Sequence, residues 1–373
     1  MPELMFITAL LLAGWTFAGY PALAVWLARR REKAPLPATV ELADVTVIVA
    51  ARNEAERIGA RVTNLLESDY PAARLKILVI DDGSSDTTAT AALVSEDPRV
   101  QVLRLPESLG KAAALNAGMH RVATPLTVFA DARQAFSGNA VSALVSAFSD
   151  ARVGVAAGHL VLPGNESSGL YWRIESALRH AESTLGWAHA ASGAIYAIRT
   201  PLYQPMPEGL LLDDVWIPLQ ALKHGFRIVD APDALAVEPQ AVAPSAEFRR
   251  KLRTLVGNWQ LMAAAPWLLN PWRNPVFFPW LSHKMARLLA PWALLAALIA
   301  SMVSTTPWMR WALIAQLLAY TVATAALLAP RLARRVPLAT AAGSFLLLNL
   351  AALLSLPRFL IRPDRSTLWK GRD

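Results

Sequence analysis

The stretch Ile77 to Thr88, ILVIDDGSSDTT, decides the fold, because a run of apolar residues ends there at paired aspartates and a small polar loop. Its first four residues are continuously apolar, the pattern of a strand buried on both faces of a parallel sheet. Gly83 and the serines after it form a turn that lets a ligand approach the backbone. A plain capped turn between a strand and a helix is the alternative, because Asp, Gly and Ser favour such turns in any protein.

The composition places part of the chain in lipid. Of the 373 residues 54% are hydrophobic, and the mean hydropathy of +0.34 is high for a soluble protein. The net charge is +8, but the basic residues cluster beside apolar segments, as they do in the cytoplasmic loops of membrane proteins. We therefore expect a membrane, and no nucleic acid, as the partner of this charge. The absence of cysteine excludes disulfides and thiolate chemistry.

Four apolar segments are long enough to cross a hydrocarbon core of about 30 Å: Leu4 to Ala28, Met285 to Val303, Trp308 to Leu328 and Leu338 to Leu356. Arg29 to Lys33 follow the first one, which predicts an uncleaved anchor, a stiff linker around Pro35 and Pro37, and a cytoplasmic domain at the inner membrane of the cell. Three C-terminal crossings would leave the basic tail outside. The interruptions at Gly343 and Asn349 therefore make the last segment the candidate for incomplete spanning.

Between the anchor and the later apolar segments, short apolar runs alternate with helical patterns. Strands are predicted at Val45 to Ala51, Leu75 to Asp81, Val100 to Leu105, Leu126 to Ala130 and Val153 to Ala157, with helices near 54–67, 86–96, 111–122 and 137–149. This order predicts an α/β, Rossmann-like domain with a mostly parallel sheet. The first turn lacks GxGxxG, which argues against a dehydrogenase, and Gly110-Lys111 lacks the rest of a Walker A loop.

Six segments then carry a family resemblance, and they occur in the order VIVAARNEAERI (Val47 to Ile58), VIDDGSSDTT (Val79 to Thr88), LGKAAALNAG (Leu109 to Gly118), TVFADARQ (Thr127 to Gln134), SGAIYAIR (Ser192 to Arg199) and LLDDVWIP (Leu211 to Pro218). Together they resemble glycosyltransferase family 2, in particular its membrane-anchored members related to cellulose, hyaluronan and poly-N-acetylglucosamine synthases. The resemblance implies a cytosolic GT-A domain flanked by transmembrane helices. The predicted division is an anchor and linker (1–40), a GT-A domain (41–243), an amphipathic interfacial region (244–283), and transmembrane helices with a basic tail (284–373).

A nucleotide-sugar site needs groups for the base and ribose, and cations for the departing diphosphate. The resemblance implies that Asn53, Glu54, Asp81 and Asp82 contact the nucleoside of a UDP-sugar. An ordinary helix start is the alternative for Asn53 and Glu54. Lys111 begins a helix, where it would reinforce an anion site, and a bare surface lysine is its alternative.

In the family, an Asp-x-Asp motif holds Mg²⁺ or Mn²⁺ against the diphosphate. Here the triplet is Asp131-Ala132-Arg133, so one carboxylate is replaced by a guanidinium. Hard divalent cations are commonly held through one or two carboxylates plus phosphates. Either Asp131 alone binds the metal, or Arg133 takes over part of the neutralisation. An Asp-Arg pair that only closes a strand is the structural alternative.

Asp213 and Asp214 open a helical segment after the turn at Pro207-Glu208-Gly209. The resemblance implies that Asp214 is the catalytic base and Asp213 its neighbour at the site, for a single displacement that inverts the anomeric carbon. A helix N-cap is the structural alternative.

The helix after Pro244 is amphipathic and basic, which suits the cytoplasmic lipid surface. It lies where processive family members carry Gln-x-x-Arg-Trp, and here Arg250 and Arg253 occupy the first and fourth positions, with Thr254 in place of Trp. We expect both arginines near the acceptor or diphosphate. The loss of the Trp favours single sugar addition over chain synthesis.

The six histidines show no metal-ligand spacing, which predicts structural or solvent-facing roles and no zinc site. Two function hypotheses remain. The first is an integral-membrane inverting glycosyltransferase that uses a UDP-sugar and a lipid or glycan acceptor. The second is a catalytically weakened, nucleotide-sugar-binding scaffold subunit, suggested by Arg133, Arg250 and Thr254.

Overall fold

The computed structural model describes residues 1–31, 42–162, 170–239, 244–329 and 336–361. Within them a single mixed sheet contains eight strands, β1 to β8: Val45–Ala51, Leu75–Asp81, Val100–Arg104, Leu126–Asp131, Ala135–Phe136, Val153–Val161, Ile195–Arg199 and Arg227–Val237. The predicted linker at Pro35 and Pro37, and the basic stretches 331–335 and 362–373, lie outside the described residues.

The strand order is β3-β2-β1-β4-β7-β6-β8-β5. Strands β3, β2, β1 and β4 run parallel to one another, whereas β7 is antiparallel to both β4 and β6. The predicted bounds of β1 and β2 are confirmed, those of β3 and β4 are correct to within one residue, and β6 continues beyond the prediction to Val161. Strand β1 is buried along its whole length, as a central parallel strand must be.

Strands β5, β7 and β8 were not predicted, whereas the helical spacing of Glu175, Arg179 and Glu182 agrees with the helix Leu170–Leu185 between β6 and β7. Strand β8, RIVDAPDALAV, contains a proline and two aspartates, which strands disfavour. It is nevertheless paired with β6 through two register shifts, which absorb these residues. Tertiary pairing therefore outweighs local propensity there.

Helices cover both faces of the sheet. We number the helices of the chain α1 to α11: Pro2–Arg29, Ala55–Leu66, Thr88–Ala92, Lys111–Met119, Ala140–Ser146, Leu170–Leu185, Asp213–Lys223, Pro244–Ala264, Phe277–Val303, Pro307–Leu328 and Pro337–Ile361. Helices α2 and α5 pack on one face and α4 and α7 on the other, so two separate apolar cores flank the sheet. The carboxyl ends of β2 and β4 place Asp81 and Asp131 at one edge of this sandwich.

Among the residues that the structure describes, four helices are long and apolar enough to cross a membrane: Pro2–Arg29, Phe277–Val303, Pro307–Leu328 and Leu338–Ile361. They correspond to the four predicted segments, but the second starts at Phe277 instead of Met285. The polar residues in this added part face other protein groups, since His283 contacts Glu182 and the following Arg287 contacts Glu175.

The last of these helices is continuous, so the interruption predicted at Gly343 and Asn349 is wrong. Gly343 packs on the preceding helix, where an added Cβ would lie 3.3 Å from the Cβ of Ala326. The Asn349 amide donates to the carbonyl of Phe345 at 2.9 Å, one turn earlier. Both residues are therefore accommodated within a regular helix.

Helix α8, the predicted interfacial helix, packs on both the sheet domain and the last of the long apolar helices. Val256 and Leu261 are buried on it, and an added Cβ at Gly257 would lie 2.6 Å from Leu212. On another side, the Trp259 indole N–H donates to the Ser355 hydroxyl at 2.9 Å. This helix therefore connects the sheet domain to the membrane helices.

Candidate active site

Lys111 lies at the centre of the site, between two carboxylates. It is the first residue of α4, and its Nζ is 3.2 Å from Asp131 Oδ1 and 3.0 Å from Asp213 Oδ1. Burial alone would lower the pKa of Lys111, but the charges of Asp131 and Asp213 outweigh burial, and the net effect raises the pKa. The side chain is therefore a permanent cation, and the bare surface lysine is ruled out.

Asp213 and Asp214 are the first two residues of α7, and Leu212 occupies the cap position. The capping alternative is therefore wrong for both aspartates. Burial, followed by the negative charge of Asp213, raises the pKa of Asp214 from 3.8 to about 6. A carboxyl group with such a pKa can accept a proton near neutral pH and release it again.

Asp131 ends β4, as predicted, and three cations act on it. Burial would raise its pKa, but Lys111, Arg133 and Arg253 together lower the pKa of this carboxyl. Arg253 comes from α8, so this helix contributes positive charge beside Asp131. Arg250 lies one turn earlier on the same helix, where its carbonyl accepts a hydrogen bond from Thr254 Oγ1 at 3.0 Å.

The predicted nucleoside residues tie neighbouring loops together. Asn53 has a positive φ of 52°, and its Oδ1 accepts a hydrogen bond from the Ser85 amide at 3.0 Å. Asp81 Oδ1 accepts from the Ser84 amide at 3.0 Å. The side chain of Glu54 forms an ion pair with Arg57 at 3.0 Å, one turn into the helix. The loops after β1 and β2 are thus held in one arrangement.

Asp82 fixes the loop that precedes Lys111. Its carboxylate accepts hydrogen bonds from the amides of Leu109 at 2.9 Å and Gly110 at 3.0 Å, and from the Ser108 hydroxyl at 2.9 Å. Gly110 has a φ of 92°, which favours glycine and sets the start of α4. These contacts support a role for Asp82 in positioning the loop before Lys111.

The segment SGAIYAIR supplies two residues that lie beside Asp213 and Asp214. The sequence analysis assigns no role to either of these two residues. The Tyr196 hydroxyl donates to Asp213 Oδ2 at 3.4 Å. An added Cβ at Gly193 would lie 3.2 Å from Asp214 Oδ2, so only the absence of a side chain leaves room there.

The site therefore combines a cation bridging two carboxylates, two further arginines, and the half-buried carboxyl group of Asp214, whose pKa is raised to about 6. Cations beside a carboxyl group that can accept a proton suit the transfer of a group from a donor with an anionic leaving group to a hydroxyl acceptor, which indicates a group transferase. The comparisons with known proteins make the class specific. Residues 46–200 match the sequence model of the family described as glycosyl transferase family 2.

Similar proteins agree with this match. The chain is 28% identical over 303 residues to an N-acetylglucosaminyltransferase of Rhizobium meliloti (strain 1021), covering 74% of this chain and 69% of the relative. It is 26% identical over 290 residues to an N-acetylglucosaminyltransferase of Mesorhizobium japonicum, covering 71% and 68%. The chain therefore carries a family 2 glycosyltransferase domain, and the protein is a glycosyltransferase.

A solved structure of similar fold is the mannosyltransferase PcManGT from Pyrobaculum calidifontis in complex with GDP-Man and Mn²⁺. It superposes with a TM-score of 0.75 at 23% identity and covers 96% of this chain and 100% of its own. At this identity the likeness shows the fold, a GT-A domain with flanking apolar helices.

Proposed function

We propose that this protein is an integral-membrane, inverting glycosyltransferase that moves a sugar from a nucleotide diphosphate, in the first instance a UDP-sugar, to a lipid or glycan acceptor. The observation that carries the proposal is the placement of Lys111 between Asp131 and the buried Asp213, beside the half-buried Asp214. The names of the two relatives favour N-acetylglucosamine as the sugar.

In the proposed reaction, Asp214 accepts the proton of the acceptor hydroxyl as its oxygen attacks the anomeric carbon. The bond from that carbon to the diphosphate oxygen breaks on the opposite face, so an α-linked donor gives a β-linked product. The nucleoside diphosphate leaves with the electron pair of this bond. Lys111, Arg133 and Arg253 stabilise its negative charge, which the low-dielectric surroundings make more effective than in water.

A divalent cation fits the site through one protein carboxylate. The side chain of Asp131 is 30% exposed, so it is accessible to a complex of metal and diphosphate. Mg²⁺ or Mn²⁺ is often held by one carboxylate together with phosphate oxygens. Such an ion would supply Lewis-acid stabilisation of the diphosphate. Since Arg133 occupies the position of the family's second aspartate, we propose that it shares this charge neutralisation and weakens the dependence on metal.

The four candidate spans support a multi-pass protein, and we propose the inner membrane with the catalytic domain on the cytoplasmic side. Arg29, Arg30 and Arg31 at the end of the first span agree with this orientation, since cytoplasmic flanks are enriched in basic residues. A nucleotide-sugar donor made in the cytoplasm would then reach the site directly.

The test is release of nucleoside diphosphate by the full chain in lipid nanodiscs, with a panel of UDP- and GDP-sugars and native lipid extract as acceptor source. We expect turnover with at least one UDP-sugar, loss of turnover in Asp214→Asn, and retention in Asp233→Asn, the same substitution at an exposed position of β8. Arg133→Asp restores the Asp-x-Asp motif and should increase the response to Mn²⁺.

The scaffold function is the second candidate, because Arg133 and Thr254 both depart from the family pattern. It predicts saturable binding of a UDP-sugar with no turnover in any lipid, and equal behaviour of the wild type and Asp214→Asn. That combination would refute the proposed reaction.

A further inference from the structure

A second cluster of polar side chains lies away from the proposed catalytic residues, where the catalytic domain meets two membrane helices. Glu182, His189 and His283 each present one ligand atom, and these atoms all lie within 4.8 Å of one another. All three residues are buried, at 3%, 2% and 3% exposure. Burying three such groups together is costly unless charge and hydrogen-bonding capacity are compensated.

The hydrogen bonds around the cluster orient its members as metal ligands are oriented. His189 Nδ1 lies 3.2 Å from the carbonyl oxygen of Trp187, which can only accept, so Nδ1 carries the proton and Nε2 carries the lone pair. A ligating histidine usually donates its other ring N–H to a carbonyl or carboxylate in this way.

His283 and Glu182 have the same kind of support. His283 Nε2 is 3.4 Å from Glu175 Oε1, while His283 Nδ1 lies 2.8 Å from Glu182 Oε1. Glu175 is in turn held by Arg287 at 2.9 Å, and the Tyr20 hydroxyl donates to Glu182 at 2.6 Å. The ligands therefore have outer partners that fix their rings and their carboxylate.

We propose that Glu182, His189 and His283 bind a structural transition-metal ion, with Zn²⁺ as the best match to two imidazoles and one carboxylate. Mg²⁺ and Mn²⁺ prefer oxygen ligands, so this site differs in chemistry from the one proposed at Asp131. Two histidines and one glutamate are an established zinc donor set, and the fourth position would be filled by water. Binding would displace the proton shared between His283 and Glu182.

The ion would join three parts of the chain. Glu182 belongs to α6, His189 to the segment that follows, and His283 to the start of the span Phe277–Val303. Two residues after His189, the Ala191 amide donates to the Asp214 carbonyl at 2.8 Å. A metal here would thus fix the segment that packs against the proposed base and hold the catalytic domain on the membrane helices.

The experiment is metal analysis of the full-length, tag-free protein purified in lipid from zinc-supplemented cells, followed by replacement with Co²⁺. We expect about one zinc ion per chain. After exchange with Co²⁺ we expect visible d–d absorption, as is typical of Co²⁺ that is bound by four or five nitrogen and oxygen ligands. Asp131→Asn and His224→Ala, the latter at an exposed histidine, should keep the metal. His189→Ala should lose it, and Glu175→Gln, with all ligands intact, should bind it about 10- to 100-fold more weakly.

The proposal is overturned if the wild type contains no stoichiometric transition metal and shows no Co²⁺ band, or if His189→Ala retains the full metal content. Circular dichroism and gel filtration show whether His189→Ala is folded. If this variant is unfolded, titration of the wild-type protein with Co²⁺ against a competing chelator tests the proposal by itself. A real metal site gives a defined affinity for Co²⁺, and a protein without the site gives none. The result is independent of whether any sugar is transferred.

Discussion

Lowering the pH should switch off sugar transfer with a midpoint near pH 6, because the proposed base must be ionised to accept a proton. Burial and the neighbouring charge of Asp213 raise the pKa of Asp214 from 3.8 to about 6. A group with this pKa is about 9% ionised at pH 5 and about 91% at pH 7, so kcat/KM should rise about tenfold across that range. With an ordinary aspartate pKa the rate would already be near its plateau at about pH 5.

Asp213→Asn tests the cause of the shift. The substitution removes the second-largest contribution that raises the Asp214 pKa and frees Lys111 from one of its two carboxylates. Both effects favour the ionised form of Asp214, so the acid limb should move to lower pH. Since Asp213 also positions Lys111, the plateau rate is expected to fall as well, and the position of the limb is the quantity to compare.

The assay is nucleoside diphosphate release in nanodiscs at constant ionic strength, with kcat/KM determined from about pH 4.5 to 8. Asp233→Asn is the control, since it removes one exposed carboxylate and should leave the limb in place. A wild-type limb near pH 4, or a limb that stays at pH 6 or rises in Asp213→Asn, would refute the assignment of Asp214 as the base.

Three further substitutions test the packing around the site. Gly193→Ala places a Cβ 3.2 Å from the proposed base and should lower kcat about ten- to a hundredfold, whereas Gly138→Ala, with open space around its Cβ, should leave kinetics unchanged. Gly158→Ala brings a Cβ to 2.5 Å from a backbone carbonyl of β8 and should destabilise the protein by about 1–3 kcal/mol, seen as a lower midpoint in chemical unfolding. Trp259→Phe removes the hydrogen bond to Ser355 and should cost about 1 kcal/mol, and a double-mutant cycle with Ser355→Ala should show a coupling of similar size.

The parts of the fold that the sequence predicts well are those determined by local burial. Strands β1 and β2 are continuous apolar runs because both faces of a central parallel strand are covered, so their bounds are visible in the chain itself. Strand β8 is determined by its pairing partners, and its proline and aspartates obscure it. The spacing of Glu175, Arg179 and Glu182 at i, i+4 and i+7 predicts one helical face, and the helix Leu170–Leu185 carries all three.

The candidate site likewise has parts that the sequence predicts and parts that depend on tertiary contacts. The sequence order of the motifs is sufficient to select Lys111, Asp131 and Asp214 as candidates, and the structure brings them to one edge of the sheet. The contacts that tune them are not local, since Arg253 acts on Asp131 from a helix more than a hundred residues later in the chain. The cluster of Glu182, His189 and His283 shows no motif spacing, because its members meet only through the docking of separate elements.

The active site and the membrane helices form one connected unit through α8. One residue of this helix, Arg253, lowers the pKa of Asp131, and another, Trp259, donates a hydrogen bond to the last membrane helix. Gly257, between them, is packed against Leu212, the cap residue of the helix that carries Asp213 and Asp214. The last membrane helix is therefore joined through one helix to Asp131 and to the start of the helix that carries Asp214. Under the proposed function, with a lipid or glycan acceptor that reaches the site from the membrane, this connection keeps the proposed base and the diphosphate-binding charges in register with the span.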